Sequence, residues 1–333
     1  MESILVLAHT EADGSLAKPA LEALAAALAL GGAVTVGLVG GSVDAALIGG
    51  CGAARFLAVT GDAFAEPRYA TDAAAAEALC RISGAAIAIA PQTARWARAL
   101  SGVALRLGGR VDTHATAIGI QNGVPAVTRW FYRQRMEGTL TRSQRPWIIL
   151  LDAGVVAPWS GASAAVEVEH VAFDVPATRT TVLGVETSQA GEQTIRPDAK
   201  LLFVAGAGWT KKQGDGAVHG AEAEELILGF LRASQASLGG SKSLVDLSGE
   251  GQPVLRFMTH LNQIGQTGST PRHARGLSTC CHGEEPHAVG WRFIGERRAV
   301  NLDPNCGWAR GKADVLYLAD AFVVVRELNR LLA

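Results

Sequence analysis

ILVLA, Ile4–Ala8, is five apolar residues with no polar interruption. A strand wetted on one side alternates polar and apolar residues, whereas a strand covered on both faces has no need to. Similar runs recur at Val34–Val39, Arg55–Val59, Ala85–Ala90 and Trp147–Leu151, with a shorter one at Thr116–Ile118. Between them lie the Ala- and Leu-rich segments Lys18–Leu30, Ala70–Ser83 and Ala97–Leu107, long enough for helices. Buried strands separated by helices predict an α/β architecture, a parallel sheet with helices on both faces. One stretch departs from it. VPAVTRWFYRQRMEGTLT, residues 124–141, alternates around Glu137-Gly138 and predicts a hairpin.

After Asp152 the regularity loosens, and SQAGEQTIRPDAK, Ser188–Lys200, has the polar, proline-containing composition of a linker. A new strand follows in LLFVAGAGW, Leu201–Trp209, then a helix from Ala221 to Ala236, a strand at Val315–Leu318 and a last helix through Val325–Leu332. The chain has 333 residues, and single cores stop growing at roughly 250–300. Two Rossmann-like domains are therefore expected, residues 1–190 and 200–333, each built on a parallel sheet.

Composition narrows the function. A formal net charge of −1 and the lack of long basic runs give no electrostatic footprint for nucleic acid or an anionic membrane. Gly and charged residues interrupt every apolar run before the ~20 residues a bilayer crossing needs. The chain opens MESILVLAHT, with Glu2 where a signal peptide carries basic residues. Five cysteines without regular spacing oppose a disulfide framework. A cytoplasmic protein is expected.

Gly206-Ala207-Gly208 lacks the third glycine of a dinucleotide fingerprint, since Lys211 stands in its place, and reads as a tight turn. Gly40-Gly41 and Gly49-Gly50-Cys51-Gly52 read the same way. QIGQTGSTP, Gln263–Pro271, is more informative, because its glycines flank Gln266 and Thr267 and let backbone and short polar side chains approach a flat polar ring. GLSTCCHGEEPHAVGW, Gly276–Trp291, gathers Cys280, Cys281, His282 and His287, with Cys306 downstream. Adjacent cysteines chelate a tetrahedral ion poorly, because successive side chains diverge.

Read in order, Ser241-Lys242-Ser243-Leu244-Val245-Asp246, Ile264-Gly265-Gln266-Thr267-Gly268, Gly276-Leu277-Ser278, His287, Val300-Asn301-Leu302-Asp303 and Asp320 form a familiar series. This C-terminal part resembles the α subunit of electron transfer flavoproteins, the FixB family, over about 120 residues. The N-terminal part fits that family by its pattern alone. The resemblance implies FAD held mainly by the second domain, a β subunit completing a heterodimer, a dehydrogenase as electron donor and another oxidoreductase as acceptor. It implies an electron carrier rather than an enzyme. It also implies a cofactor-binding set: Ser241, Lys242, Gln263, Ile264, Gly265, Gln266, Thr267, Gly268, Gly276, Leu277, Ser278, His287, Asn301, Asp303 and Asp320. In it Thr267 and Gln266 lie at the flavin N5 edge, Ser278 at the phosphate and ribitol, His287 at N1/O2, and Asn301 and Asp320 at the adenosine end.

The chain departs from the family at Ala207, where an arginine is expected, at Lys242 for arginine and at Pro286 for glutamine. The interval from Gly276-Leu277-Ser278 to His287 is longer than the family's by four residues, and Cys280, Cys281 and His282 fall inside it. We expect these cysteines to hold no metal. Two other readings remain, a metal or iron–sulfur subunit using Cys280, Cys281 and Cys306, and a structural subunit whose flavin site has decayed.

Overall fold

The computed structural model describes residues 2–132, 136–184, 195–196, 199–246, 254–264, 270–271, 273–279, 294–305 and 313–333. The chain divides into two compact units, the first reaching Glu186 and the second running Thr187–Ala333.

The first unit alternates strand and helix: β1 (Ile4–His9), α1 (Lys18–Ala29), β2 (Val34–Gly40), β3 (Arg55–Thr60), α2 (Asp62–Ala65), α3 (Tyr69–Ser83), β4 (Ile87–Pro91) and α4 (Ala94–Arg106). Strands β5 (Arg110–Gln121), β6 (Val124–Phe131), β7 (Met136–Leu140), β8 (Trp147–Leu151) and β9 (Val168–His170) follow. They form one sheet in the order β7-β6-β5-β8-β4-β1-β2-β3-β9. From β9 to β5 all neighbours are parallel, and β6 and β7 add an antiparallel ribbon at one margin. The sheet is thus mixed rather than purely parallel.

Uninterrupted apolar strands follow from two cores. Ile4, Val6 and Ala8 enter one with Leu24 and Ala27 of α1, while Leu5 and Leu7 enter the other with Leu79 of α3 and Trp96 and Leu100 of α4. Each strand of this kind supplies both faces, so no position is left for a polar residue. The hairpin exists, but its turn is not at Glu137-Gly138: both lie inside β7, opposite Trp130 and Arg129. A second, tighter hairpin joins β5 to β6 through Asn122-Gly123, both in the left-handed region at φ 50° and 78°. That is the backbone a two-residue turn needs to match strand twist, and Asn-Gly is its commonest sequence.

The glycines at 40, 49 and 50 serve close packing. A Cβ on Gly40 would lie 1.8 Å from Thr10 Oγ1, and one on Gly49 or Gly50 would strike the carbonyl oxygens of Ala164 or Ala162.

The second unit contains β10 (Leu201–Ala205), α5 (Gly220–Ser234), β11 (Ser237–Gly240), α6 (Lys242–Asp246), β12 (His273–Thr279), β13 (Ile294–Asn301), β14 (Val315–Leu318) and α7 (Ala321–Leu332). Its sheet is wholly parallel, in the order β11-β10-β12-β13-β14. The strand order reverses between β10 and β12, and open sheets of this order place ligands outside the strands' carboxyl ends at that reversal. Helices α5 and α7 share a core with one face, through Phe230, Ile227, Phe322 and Val325 over Phe203 and Val300.

Candidate functional site

The carboxyl margin of the second sheet is assembled by backbone hydrogen bonds between neighbouring strand ends. Gly206 N–H donates to Thr279 O at 2.9 Å, Ser241 N–H to Ala205 O at 3.0 Å, Ile264 N–H to Gly240 O at 3.1 Å and Ala319 N–H to Asn301 O at 3.1 Å. Gly206-Ala207-Gly208 makes no phosphate loop. Ala207–Thr210 is a 3-10 turn buried throughout, and it carries Trp209 into the core against Phe203 and Phe322.

Three strand ends, those of β11, β13 and β14, and the isolated bridge at Gln263 bring most of the described part of the expected set to this margin. Ser241 directly follows β11; it is buried, and its Oγ accepts the Leu244 N–H at 3.2 Å, opening α6. Lys242, the first residue of α6, is exposed. Gln263 forms a parallel bridge to Gly240, and Ile264 beside it is buried under β10. Asn301 ends β13, and its amide donates to the Asp303 carbonyl at 3.3 Å. Asp303 Oδ1 accepts the Asn305 N–H at 2.8 Å, closing a turn in which both side chains lie past the strand end. Asp320 follows β14 and caps α7, Oδ1 accepting the Phe322 N–H at 2.8 Å.

Gly276, Leu277 and Ser278 lie within β12 rather than beyond it. A Cβ on Gly276 would come within 2.6 Å of Ile294 Cγ2, so packing alone requires glycine there. Leu277 packs against the α5–α7 core and Ser278 is buried one residue from the strand end. Gly265, Gln266, Thr267, Gly268 and His287 lie outside the described residues, as do Cys280, Cys281, His282, Cys306 and most of the expected linker. Among the described residues no group of three or more His, Cys, Asp or Glu side chains could hold a metal ion, and Cys51 and Cys80 are buried and free. Burial raises the Cys80 thiol to about 12, helped by the nearby Glu77 charge.

The chemistry of the margin suits a dinucleotide. Asp303, Asp320 and the Asn301 amide offer acceptors for ribose hydroxyls and an adenine amine, and Lys242 offers a cation for a phosphate.

Sequence reading missed three features of the first unit. His9, ending β1, stacks on Trp96 with ring centroids 3.9 Å apart. Burial pushes its imidazole down to about 2, and the Arg95 charge adds to that. Asp112 is buried beneath the antiparallel ribbon and accepts from Arg142 Nε and Nη2 at 2.9 Å, Arg129 Nη1 at 3.3 Å and Trp147 Nε1 at 2.9 Å. Burial raises its carboxyl, but those hydrogen bonds and guanidinium charges together hold it below its ordinary value. His114 adopts φ 55° where β5 changes register, its Nδ1 lying 2.9 Å from Asp152 Oδ1 and its N–H donating to Gln92 Oε1 at 3.1 Å. The Asp152 hydrogen bond raises its pKa against the effect of burial. None of these contacts joins residues close in sequence.

A search of curated proteins finds no match to the chain. The sequence profile of the family described as electron transfer flavoprotein domain matches residues 4–177, inside the first unit and just over half of the chain. With the alternating strands and helices of that unit and no helix long and apolar enough to cross a membrane among the described residues, the conclusion is direct: the chain belongs to the electron transfer flavoprotein domain family.

Proposed function

We propose that the protein is an α-type, FixB-like subunit of an electron transfer flavoprotein, an electron carrier rather than an enzyme. The observation that carries this reading is the gathering of Ser241, Lys242, Ile264, Asn301, Asp303 and Asp320 at one margin of the second sheet, around the ends of β11, β13 and β14. Family membership supports the electron-transfer role and the flavin class.

The group this margin would hold is FAD, which supplies reversible uptake of electrons at its isoalloxazine ring. In this reading Asn301, Asp303 and Asp320 orient the adenosine end by accepting its donors, and Lys242 neutralises a phosphate. Buried Ser241 fixes the start of α6 so that Lys242 is presented at a set place. Residues 265–268 and His287 would supply the donors that stabilise added negative charge. The donor would be a dehydrogenase, the acceptor another oxidoreductase, and a β subunit would complete the carrier.

The visible spectrum of the purified protein, alone and coexpressed with a β-type subunit, tests the reading. Two flavin bands, and FAD rather than FMN released on denaturation, are expected. A broad iron–sulfur envelope, or a colourless protein that takes up no FAD in either form, would overturn it.

A further inference from the structure

The second unit has a concavity on the face of its sheet that α5 and α7 partly cover. A groove of about 640 Å³ runs between α5, α7 and the strands, from Leu201 and Arg275 to Val300 and Ala319 at the carboxyl ends of β13 and β14. Leu201, Phe230, Leu277, Val300, Val324 and Leu328 make its walls. Its size is that of a small-molecule pocket, and apolar walls with a few convergent polar groups are what such pockets share.

The polar groups sit together. Arg275 and Arg298 both line the groove and both engage Glu296, Arg275 Nε at 3.3 Å and Arg298 Nη2 at 2.7 Å. The Tyr317 hydroxyl lies 3.5 Å from Arg298 Nη1. Two guanidinium groups share one carboxylate, so the charged groups lining the groove sum to one unmatched positive charge. The last residues of α5 and α7, Ser234 and Leu332, also line the groove, and the carbonyl ends of those helices subtract from that charge. Arg232 in the last turn of α5 offsets its own helix. A planar guanidinium meets the two oxygens of a carboxylate with parallel hydrogen bonds, and one unmatched charge suits a monoanion.

We propose that this groove binds a small amphipathic carboxylic acid, its apolar body between α5 and α7 and its carboxylate on Arg275 and Arg298. The proposal does not depend on the flavin reading.

Calorimetric titration of the full chain with octanoate, decanoate and dodecanoate, and with 1-decanol as a neutral match, tests this. Burial of each methylene is worth about a fourfold gain in affinity, so affinity should climb about fourfold per carbon until the groove fills. Decanoate should bind about ten- to a hundredfold more tightly than decanol, and Arg275→Gln with Arg298→Gln should abolish that preference while leaving decanol binding in place. Leu328→Trp, checked for folding by circular dichroism, should block both ligands. No acid binding, a flat dependence on chain length, or equal affinity for acid and alcohol in the wild type would each overturn the proposal. So would wild-type binding in a folded Leu328→Trp variant, or binding only by a second copy of the chain.

Discussion

Trp209 Nε1 donates to Thr279 Oγ1 at 2.9 Å, and that hydroxyl donates onward to the Val204 carbonyl at 3.2 Å. Both residues are buried, so the chain of two hydrogen bonds fixes the turn after β10 against the end of β12 without help from water. Thr279→Val preserves shape but leaves the indole N–H unpaired. A buried donor without a partner costs about 1–3 kcal/mol, and denaturant unfolding of the second unit should show a loss of that size. Trp209→Phe with Thr279→Val should recover part of it, because neither group is then left unpaired.

Asp320 has two assignable jobs, the cap of α7 and the proposed adenosine contact. Asp320→Ala should lose both: about 0.5–2 kcal/mol of stability for the cap and about ten- to a hundredfold in FAD affinity for a charge-assisted bond. Asp320→Asn keeps a capping oxygen and loses the charge, so it should weaken FAD while sparing the melting temperature. Equal FAD affinity in wild type and both variants would remove Asp320 from the cofactor site.

Asp112 is the common acceptor for two guanidinium groups and an indole. Asp112 is buried but Arg129 and Arg142 keep part of their side chains in water, so removing its charge costs charge-assisted hydrogen bonds, about 1.5–3 kcal/mol, rather than stranding a buried cation. Asp112→Asn should destabilise the first unit by an amount near that range and loosen the β5–β6–β7 ribbon first, visible as faster amide exchange in Val124–Phe131.

His9 makes the first unit sensitive to mild acid. Its folded imidazole ionises only near about 2, whereas an unfolded histidine ionises near about 6.5. Above that value the group is neutral in both states and costs nothing. Below it the unfolded chain takes up a proton the folded chain refuses, so stability falls as pH falls, by up to about 1.4 kcal/mol per pH unit. His114 has the opposite sign: its raised pKa adds stability at low pH, and that stability is lost as pH rises through the folded value. Urea midpoints from pH 7 to 5 should fall in the wild type and fall less in His9→Phe. Identical slopes would show that His9 takes up its proton in the folded state.

The central strands were legible because burial on both faces writes itself into local composition: Trp147–Leu151 is apolar throughout and is β8 without a change of boundary. Helix α1 began at Lys18 as its composition indicated, while the others began one to four residues earlier, α4 at Ala94 because Thr93 accepts the Trp96 N–H as its cap. The β6–β7 hairpin was placed but its turn is not at Glu137-Gly138, and the separate β5–β6 hairpin, whose Asn122-Gly123 dipeptide is a strong local signal, went unread. Gly276 read as part of a cofactor loop, yet its immediate neighbour is Ile294. The Asp112 cluster and the His9–Trp96 stack join residues distant in sequence, and no local pattern announces such contacts.

The antiparallel ribbon at one margin of the first sheet and the three-residue β9 at the other have a consequence for solubility. A parallel sheet exposes rows of amides and carbonyls at its two rims, and a neighbouring molecule can extend it there. One rim here ends in β7, whose outer positions are mostly wet. The other ends after three residues, with the Arg55–Glu169 ion pair at 2.6 Å standing beside it. Two molecules meeting rim to rim would have to bury charge or forgo most of the ladder. That barrier keeps a sheet of nine strands from serving as a template for its own polymerisation.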